Sequence, residues 1–310
     1  MRIVSLIASS TEIIHALGLG RYMVGRSHEC DFPLTVKALP VCTAPKFNVE
    51  GTSYEIDQRV KAILEQSLSV YKVDAQILDE LSPTHVITQA QCEVCAVSLK
   101  DVEEAACQMV KSQPRIISLE PNCLDDYFND LLKVGRVLGA QKAAEELIES
   151  DKRRIRAVEQ SATRADKKPT VAVIEWIEPL MAAGNWMPEL VELAGGINLF
   201  GIAGKHSPWM KIEDLTRLDP DIIIVTPCGF DNQRTMKEMP ALSKLEQFNQ
   251  LKATKNNRVY IADGNQYFNR PGPRLIDSLE IMAEILYPEI FPAAHGDAWL
   301  VYSPTSSGGN

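Results

Sequence analysis

Ile222-Ile223-Ile224-Val225 is a run of four β-branched residues with no polar position among them, closed off by Asp221 and Thr226. A strand wetted on one face alternates polar and apolar residues. One without alternation is buried on both faces, as in a parallel sheet covered by helices. The run follows Leu218-Asp219-Pro220, a helix end with a proline stop. The same order recurs at Leu81-Ser82-Pro83-Thr84-His85-Val86-Ile87-Thr88, so the chain carries two related halves. A second echo pairs Glu12-Ile13-Ile14-His15-Ala16-Leu17-Gly18 with Glu189-Leu190-Val191-Glu192-Leu193-Ala194-Gly195, where the glycine suits a helix C-terminus.

Further strands are predicted near Ile3 to Ala8, Met23 to Gly25, Arg115 to Ser118, Thr170 to Ile174 and Arg258 to Ile261. Helices are predicted over Thr11 to Leu17, Tyr54 to Gln66, Leu99 to Lys111 and after Pro273. One long helical stretch, with apolar positions at Leu131, Leu132, Val134, Val137, Leu138 and Leu147, runs from Leu124 to about Gln160 and stops at Lys167-Lys168-Pro169. The fold class is therefore α/β: two doubly wound lobes joined by one long rigid helix, with a ligand cleft between them. The boundaries are an N-terminal lobe over 1–121, the connecting helix over 122–166, a C-terminal lobe over 167–290 and a tail over 291–310.

Composition narrows the function. At 310 residues, 45% hydrophobic and 24% charged, the chain is ordinary globular protein. Its 32 Lys plus Arg against 41 Asp plus Glu give a formal charge of -9, unsuited to nucleic acid or an anionic membrane surface. No apolar run approaches the ~20 residues of a bilayer span. Arg2-Ile3-Val4-Ser5-Leu6-Ile7-Ala8 runs straight into polar Ser9-Ser10-Thr11-Glu12 rather than a signal-peptide pattern, so a cytoplasmic location is expected. Seven cysteines are too few for a disulfide scaffold.

Ligands of open α/β sheets sit outside the carboxyl ends of the strands. After the first strand, Ser9-Ser10-Thr11-Glu12 fits a capping box that opens a helix, which makes Ser10, Thr11 and Glu12 candidate ligand contacts. His28 follows the second strand and Gln89 the third. The second half contributes Glu175, Trp176 and Trp186, then Phe230, and after its last strand Asn265, Tyr267, Phe268 and Arg270. Flat rings could stack on a large ligand, while Arg270 and Arg274 could clamp a phosphate or carboxylate. Cys30, Cys92, Cys95 and Cys228 fall on the same loops as candidate metal ligands, and Cys92-x-x-Cys95 has the bite a tetrahedral metal favours. The competing reading packs these cysteines as small apolar residues or makes two of them a redox pair. Elbow, P-loop, HExxH and dinucleotide-binding signatures are missing, so binding rather than turnover is expected.

Arg2-Ile3-Val4-Ser5-Leu6, Ser10-Thr11-Glu12-Ile13-Ile14 and Val24-Gly25-Arg26-Ser27-His28-Glu29-Cys30-Asp31-Phe32-Pro33 resemble the cobalamin-binding branch of the class III periplasmic-binding-protein family, the substrate-binding proteins of ABC importers. The likeness continues through Cys92-Glu93-Val94-Cys95, Glu175-Trp176, Pro227-Cys228-Gly229-Phe230 and Asp263-Gly264-Asn265 to Arg274. It implies a non-enzymatic protein holding cobalamin, a related corrinoid or an iron chelate between its lobes, and an ABC permease as partner if the chain is exported. His28 or a cleft cysteine could approach the metal of such a ligand. Two alternatives stand beside it: a cytoplasmic zinc or iron-sulfur protein built on the cysteine cluster, serving as sensor, chaperone or electron carrier, and a cysteine-dependent redox enzyme.

Overall fold

The computed structural model describes residues 1–66, 70–89, 99–107 and 111–303. The chain forms two compact units. The first comprises Met1–Gly51, Glu55–Pro121 and Asp125–Ser150, and the second Thr52–Tyr54, Asn122–Leu124 and Asp151–Asn310. In chain order the first half carries β1 (Ile3–Ser5), α1 (Ala8–Ala16), β2 (Met23–Arg26), β3 (Thr43–Pro45), α2 (Ser53–Leu64), β4 (Tyr71–Val73), α3 (Ala75–Leu81), β5 (His85–Gln89), α4 (Leu99–Cys107), β6 (Arg115–Leu119) and α5 (Leu124–Val137). Next come α6 (Gln141–Ala162), β7 (Thr170–Trp176), β8 (Met181–Ala182), α7 (Met187–Leu193), β9 (Ile197–Asn198), α8 (Ile212–Leu218) and β10 (Ile222–Val225). The chain closes with α9 (Asn232–Glu238), α10 (Pro240–Ser243), α11 (Glu246–Gln250), α12 (Lys252–Lys255), β11 (Val259–Ala262), α13 (Leu275–Leu286) and β12 (Trp299–Tyr302).

The first unit's sheet has the order β2-β1-β5-β6, and all its pairings are parallel. Val4, Leu6, Val86 and Val102 form its core with Leu78 and Tyr71. A separate antiparallel pair, β3 with β4, lies outside the parallel pattern. In the second unit the order is β12-β11-β10-β7-β8, with β9 also on β7. The Ile222–Val225 run is indeed fully buried, paired in parallel with β7 on one side and β11 on the other. Phe248, Met239, Leu242 and Leu215 pack against Ile223, Val225 and Ile261.

Both proline-stopped repeats end in the same backbone device. Ser82 closes α3 and Asp219 closes α8 in the left-handed region, at φ 42 and 43, and the proline that follows cannot continue a helix.

Three expectations change. The stretch over 122–166 is not one unbroken helix: Gly139 adopts φ 73 between α5 and α6, a conformation glycine takes without a Cβ clash. The first strand stops at Ser5 rather than Ala8, because the helix starts at Ala8. The 291–310 tail is partly sheet, since β12 pairs antiparallel with β11 and Trp299 Nε1 donates to Glu284 at 3.0 Å. No helix among the described residues is long and apolar enough to cross a membrane.

Asp130 of α5 accepts the Glu120 backbone N–H at 3.1 Å, and burial pushes its carboxyl up to about 7. Between the ordinary carboxylate range and about 7 the folded chain keeps a proton that the unfolded chain releases, so this group makes stability fall as pH rises through that window. Asp130→Asn retains an acceptor and removes the titration. It is expected to stabilise the protein by about 1–3 kcal/mol near pH 8 and by less near pH 5, read from urea midpoints at the two pH values. Phe248, fully buried in the second unit's core, sets a second expectation: Phe248→Ala should cost about 3–5 kcal/mol in urea unfolding.

Candidate functional site

In the first unit β1 turns directly into α1. Ile7 occupies the cap position in extended conformation, and no side chain caps the helix. Ser9, Ser10, Thr11 and Glu12 therefore lie inside α1 and are buried, which overturns the expected capping box. Their hydroxyls face protein. Ser10 Oγ donates to the Ile7 carbonyl at 3.1 Å and lies 2.6 Å from Ser5 Oγ. The Thr11 hydroxyl lies 2.7 Å from Ser5 Oγ and 3.0 Å from Cys30 Sγ. Ser5, Ser10, Thr11 and Cys30 thus pin β1, α1 and the loop after β2 together. Gln89, 3% exposed at the end of β5, accepts from Ser9 Oγ at 3.4 Å.

His28, on the loop after β2, is half-buried. Its Nδ1 lies 2.8 Å from Thr43 Oγ1, and its ring sits 5.2 Å from that of Tyr71. Burial, then the positive charge of Arg26, pushes its pKa down, so the ring is neutral at pH 7. Tyr71 donates to Glu29 Oε1 at 3.1 Å.

The second unit's strand ends build a different surface. Trp176, at the end of β7, and Phe230, after β10, approach to 5.2 Å between centroids at 52°. The Arg234 guanidinium lies over Phe230 at 4.5 Å, and its Nε faces Glu238 at 3.6 Å. Glu175 Oε2 accepts from Ser207 Oγ at 2.8 Å, while Ser207 Oγ accepts from the Gly184 N–H. The turn over Gly264–Phe268 begins at Asp263, which accepts from the backbone N–H groups of Asn265 and Gln266 and from Gln266 Nε2. Burial nevertheless raises the Asp263 pKa. A Cβ at Gly264 would stand 2.1 Å from the Pro227 carbonyl oxygen, so only glycine lets this turn press against the loop after β10. Asn265 Oδ1 accepts from Arg270 Nη2 at 3.0 Å, and Arg274 lies over the Tyr267 ring at 5.4 Å.

The candidate residues separate accordingly. Trp176, Asn265 and Tyr267 are partly exposed at the second unit's strand ends with Glu175, whereas Phe230 and Arg270 lie there too but are buried, each 7% exposed. Trp186 and Phe268 are core instead, 6% and 0% exposed, and Trp186 Nε1 donates to the Phe268 carbonyl at 2.9 Å. Cys30 is buried in the hydroxyl cluster, and Cys228 is half-buried with its N–H on the Glu175 carbonyl. Cys92 and Cys95 lie outside the described residues. Among the described residues no cysteine joins a group of three potential metal ligands. Asp277, Glu280 and His295 form such a group, but Arg154 bridges Asp277 at 2.5 Å and Glu280 at 2.7 Å, holding both carboxylates. Arg234, Ser207 and Thr43 were not anticipated. Phe230 precedes the Asp231 cap of α9, so no helical spacing announced its contact with Arg234, and Thr43 sits on a short antiparallel strand that the parallel pattern does not foretell.

Residues 3–265 match the periplasmic binding protein family model. The chain belongs to that family. As a periplasmic binding protein it is a solute-binding protein and not an enzyme. An ABC transporter substrate-binding lipoprotein of Bacillus subtilis, YvrC, is 24% identical over 298 residues, covering 94% of this chain and 81% of that protein. A vitamin B12-binding protein of Vibrio cholerae is 27% identical over 100 residues, 32% of this chain and 33% of its own length. A periplasmic heme binding protein of Pseudomonas aeruginosa shares the fold at TM-score 0.70 and 20% identity, covering 93% of this chain and 92% of that one.

Asp263 anchors the turn that carries Asn265 and leads to Arg270. Asp263→Ala is expected to cost about 1–2 kcal/mol in urea unfolding, the usual loss for a cap whose acceptors are removed; an unchanged midpoint would show that Gly264 packing alone holds the turn.

Proposed function

We propose that this periplasmic binding protein holds a metal-bearing tetrapyrrole, a cobalamin or related corrinoid first, and presents it to an ABC permease. The observation that carries the reading is the partly exposed Trp176 ring, backed by the buried Phe230 on which Arg234 stacks, next to the loop that carries the amide side chains of Asn265 and Gln266 and is braced by Arg270. A corrin is broad and partly apolar with an amide fringe. Rings contact its faces, and amide and guanidinium groups meet its edge. The vitamin B12-binding relative and the substrate-binding lipoprotein support the ligand and the permease respectively.

Heme is the second reading. Arg270 and Arg274, four residues apart and each less than a tenth exposed, match the charge of two propionates.

Titration with cyanocobalamin and, separately, with hemin tests both by absorbance and calorimetry. Saturable one-site cyanocobalamin binding with a band shift is expected, and Trp176→Ala should weaken it by about 1–3 kcal/mol, the scale of a lost aromatic stacking contact. Saturable hemin binding with no cyanocobalamin binding would move the assignment to heme, and silence with both would end the tetrapyrrole reading.

A further inference from the structure

Glu284 belongs to α13 but is only 3% exposed, a depth at which a carboxylate stays charged only where donors surround it. Three donors reach it among the described residues, and all three come from residues 294–299. Oε1 accepts the Ala294 backbone N–H at 2.9 Å and lies 2.7 Å from His295 Nδ1, while Oε2 accepts from Trp299 Nε1 at 3.0 Å. Burial works against the charge, yet the bonds from Trp299, His295 and Ala294 outweigh it and hold the carboxyl below its usual range. An ionised carboxylate only accepts, so His295 Nδ1 is a donor here.

The same segment also reaches the loop that carries Asn265 and Gln266. Residues 296–298 make one tight turn, closed by the Ala298 N–H on the His295 carbonyl at 3.0 Å. Ala298 is buried, and its carbonyl accepts the Asp263 backbone N–H at 2.9 Å. Asp263 is the residue whose carboxylate gathers the Asn265 and Gln266 N–H groups. Trp299 pairs with Ala262, the last residue of β11, and its ring meets that of Tyr260 at 5.6 Å. The Asp297 carbonyl accepts from Asn232 Nδ2 at the start of α9, the helix of Arg234. Glu284, residues 294–299, Asp263 and Asn265 all belong to the second unit. A chain of hydrogen bonds therefore runs from a buried carboxylate on α13 to the cap of the Asn265 loop. Apolar contact with the sheet edge would hold such a segment loosely; directed bonds to a buried charge fix where it lies.

Resting on the reading of the Asn265 loop as part of the tetrapyrrole site, we propose that residues 294–299 brace that loop and that Glu284 is a positioning residue for the bound molecule, acting through Ala298 and Asp263 without touching the ligand.

The test uses the full chain and the variants Glu284→Gln and Trp299→Phe. The first keeps the side-chain shape but turns one acceptor oxygen into an amide nitrogen, so one of the three donors loses its partner. Trp299→Phe keeps a ring against Tyr260 and removes a single donor. Amide hydrogen exchange, followed well below the melting temperature, should speed up about tenfold at Asp263, Asn265 and Gln266 in Glu284→Gln and stay unchanged along β10. The Kd for cyanocobalamin should rise about tenfold in the same variant, and Trp299→Phe should give a smaller change of the same kind in both readouts. Trp299→Phe carries the test if Glu284→Gln fails to fold. Unchanged exchange at Asp263–Gln266, or exchange that rises equally along β10, would overturn the brace. Faster exchange confined to the loop with an unaltered Kd would overturn the positioning role and leave the tetrapyrrole reading intact. A wild type that binds neither cyanocobalamin nor hemin would overturn that reading and the positioning role together, while the exchange still decides whether the segment holds the loop.

Discussion

Parallel pairing buried on both faces is the constraint on which the other features rest. Two parallel strands cannot be joined by a tight turn, so each returns through a crossover, and every carboxyl end emerges on the same edge. In the second unit β7, β10 and β11 run in register, Ile222 with Val171 and Ile223 with Val259. The loops carrying Glu175, Trp176, Phe230 and Asp263 are neighbours for that reason alone. In the first unit β2, β1 and β5 do the same for the loops after Arg26 and Ser5 and for Gln89.

The two units use their strand ends differently. The first ties its hydroxyls inward: Ser5, Ser10 and Thr11 bond to one another, to the Ile7 carbonyl and to Cys30, as buried polar groups must. That network makes a rigid base from which the His28 loop departs. The second unit packs rings against cations instead, with Arg234 over the buried Phe230 and the buried Arg274 over Tyr267. A cation over a ring face keeps its charge partly desolvated and directed, which suits a broad ligand with a polar fringe.

Some of this was legible from residue order. The proline-stopped helices, the buried isoleucine run and the polar loops that follow each strand announced α/β halves and placed Trp176, Phe230 and His28 at strand ends, where the structure has them. The role of Ser10, Thr11 and Glu12 was not legible, because a capping box and a helix interior share the same local pattern until the start of the helix is known. That start depends on Ile7 remaining extended after β1. Trp186 and Phe268 looked like open rings because nothing in their sequence neighbourhood reveals that one donates to the other's carbonyl.

Sequence by itself determined the α/β class, the buried parallel strands and the polar loops that follow them, because hydrophobic pattern and helix stops are local physics. Tertiary structure decided which members of those loops are buried against protein and which stay partly exposed. Thr43, fifteen residues beyond His28 on β3, lies 2.8 Å from Nδ1 of that ring, and Trp186 at the start of α7 is buried while Trp176 at the end of β7 stays half-exposed. Hydrogen-bond partners and solvent exposure are properties of what lies nearby in space, and no spacing along the chain encodes them.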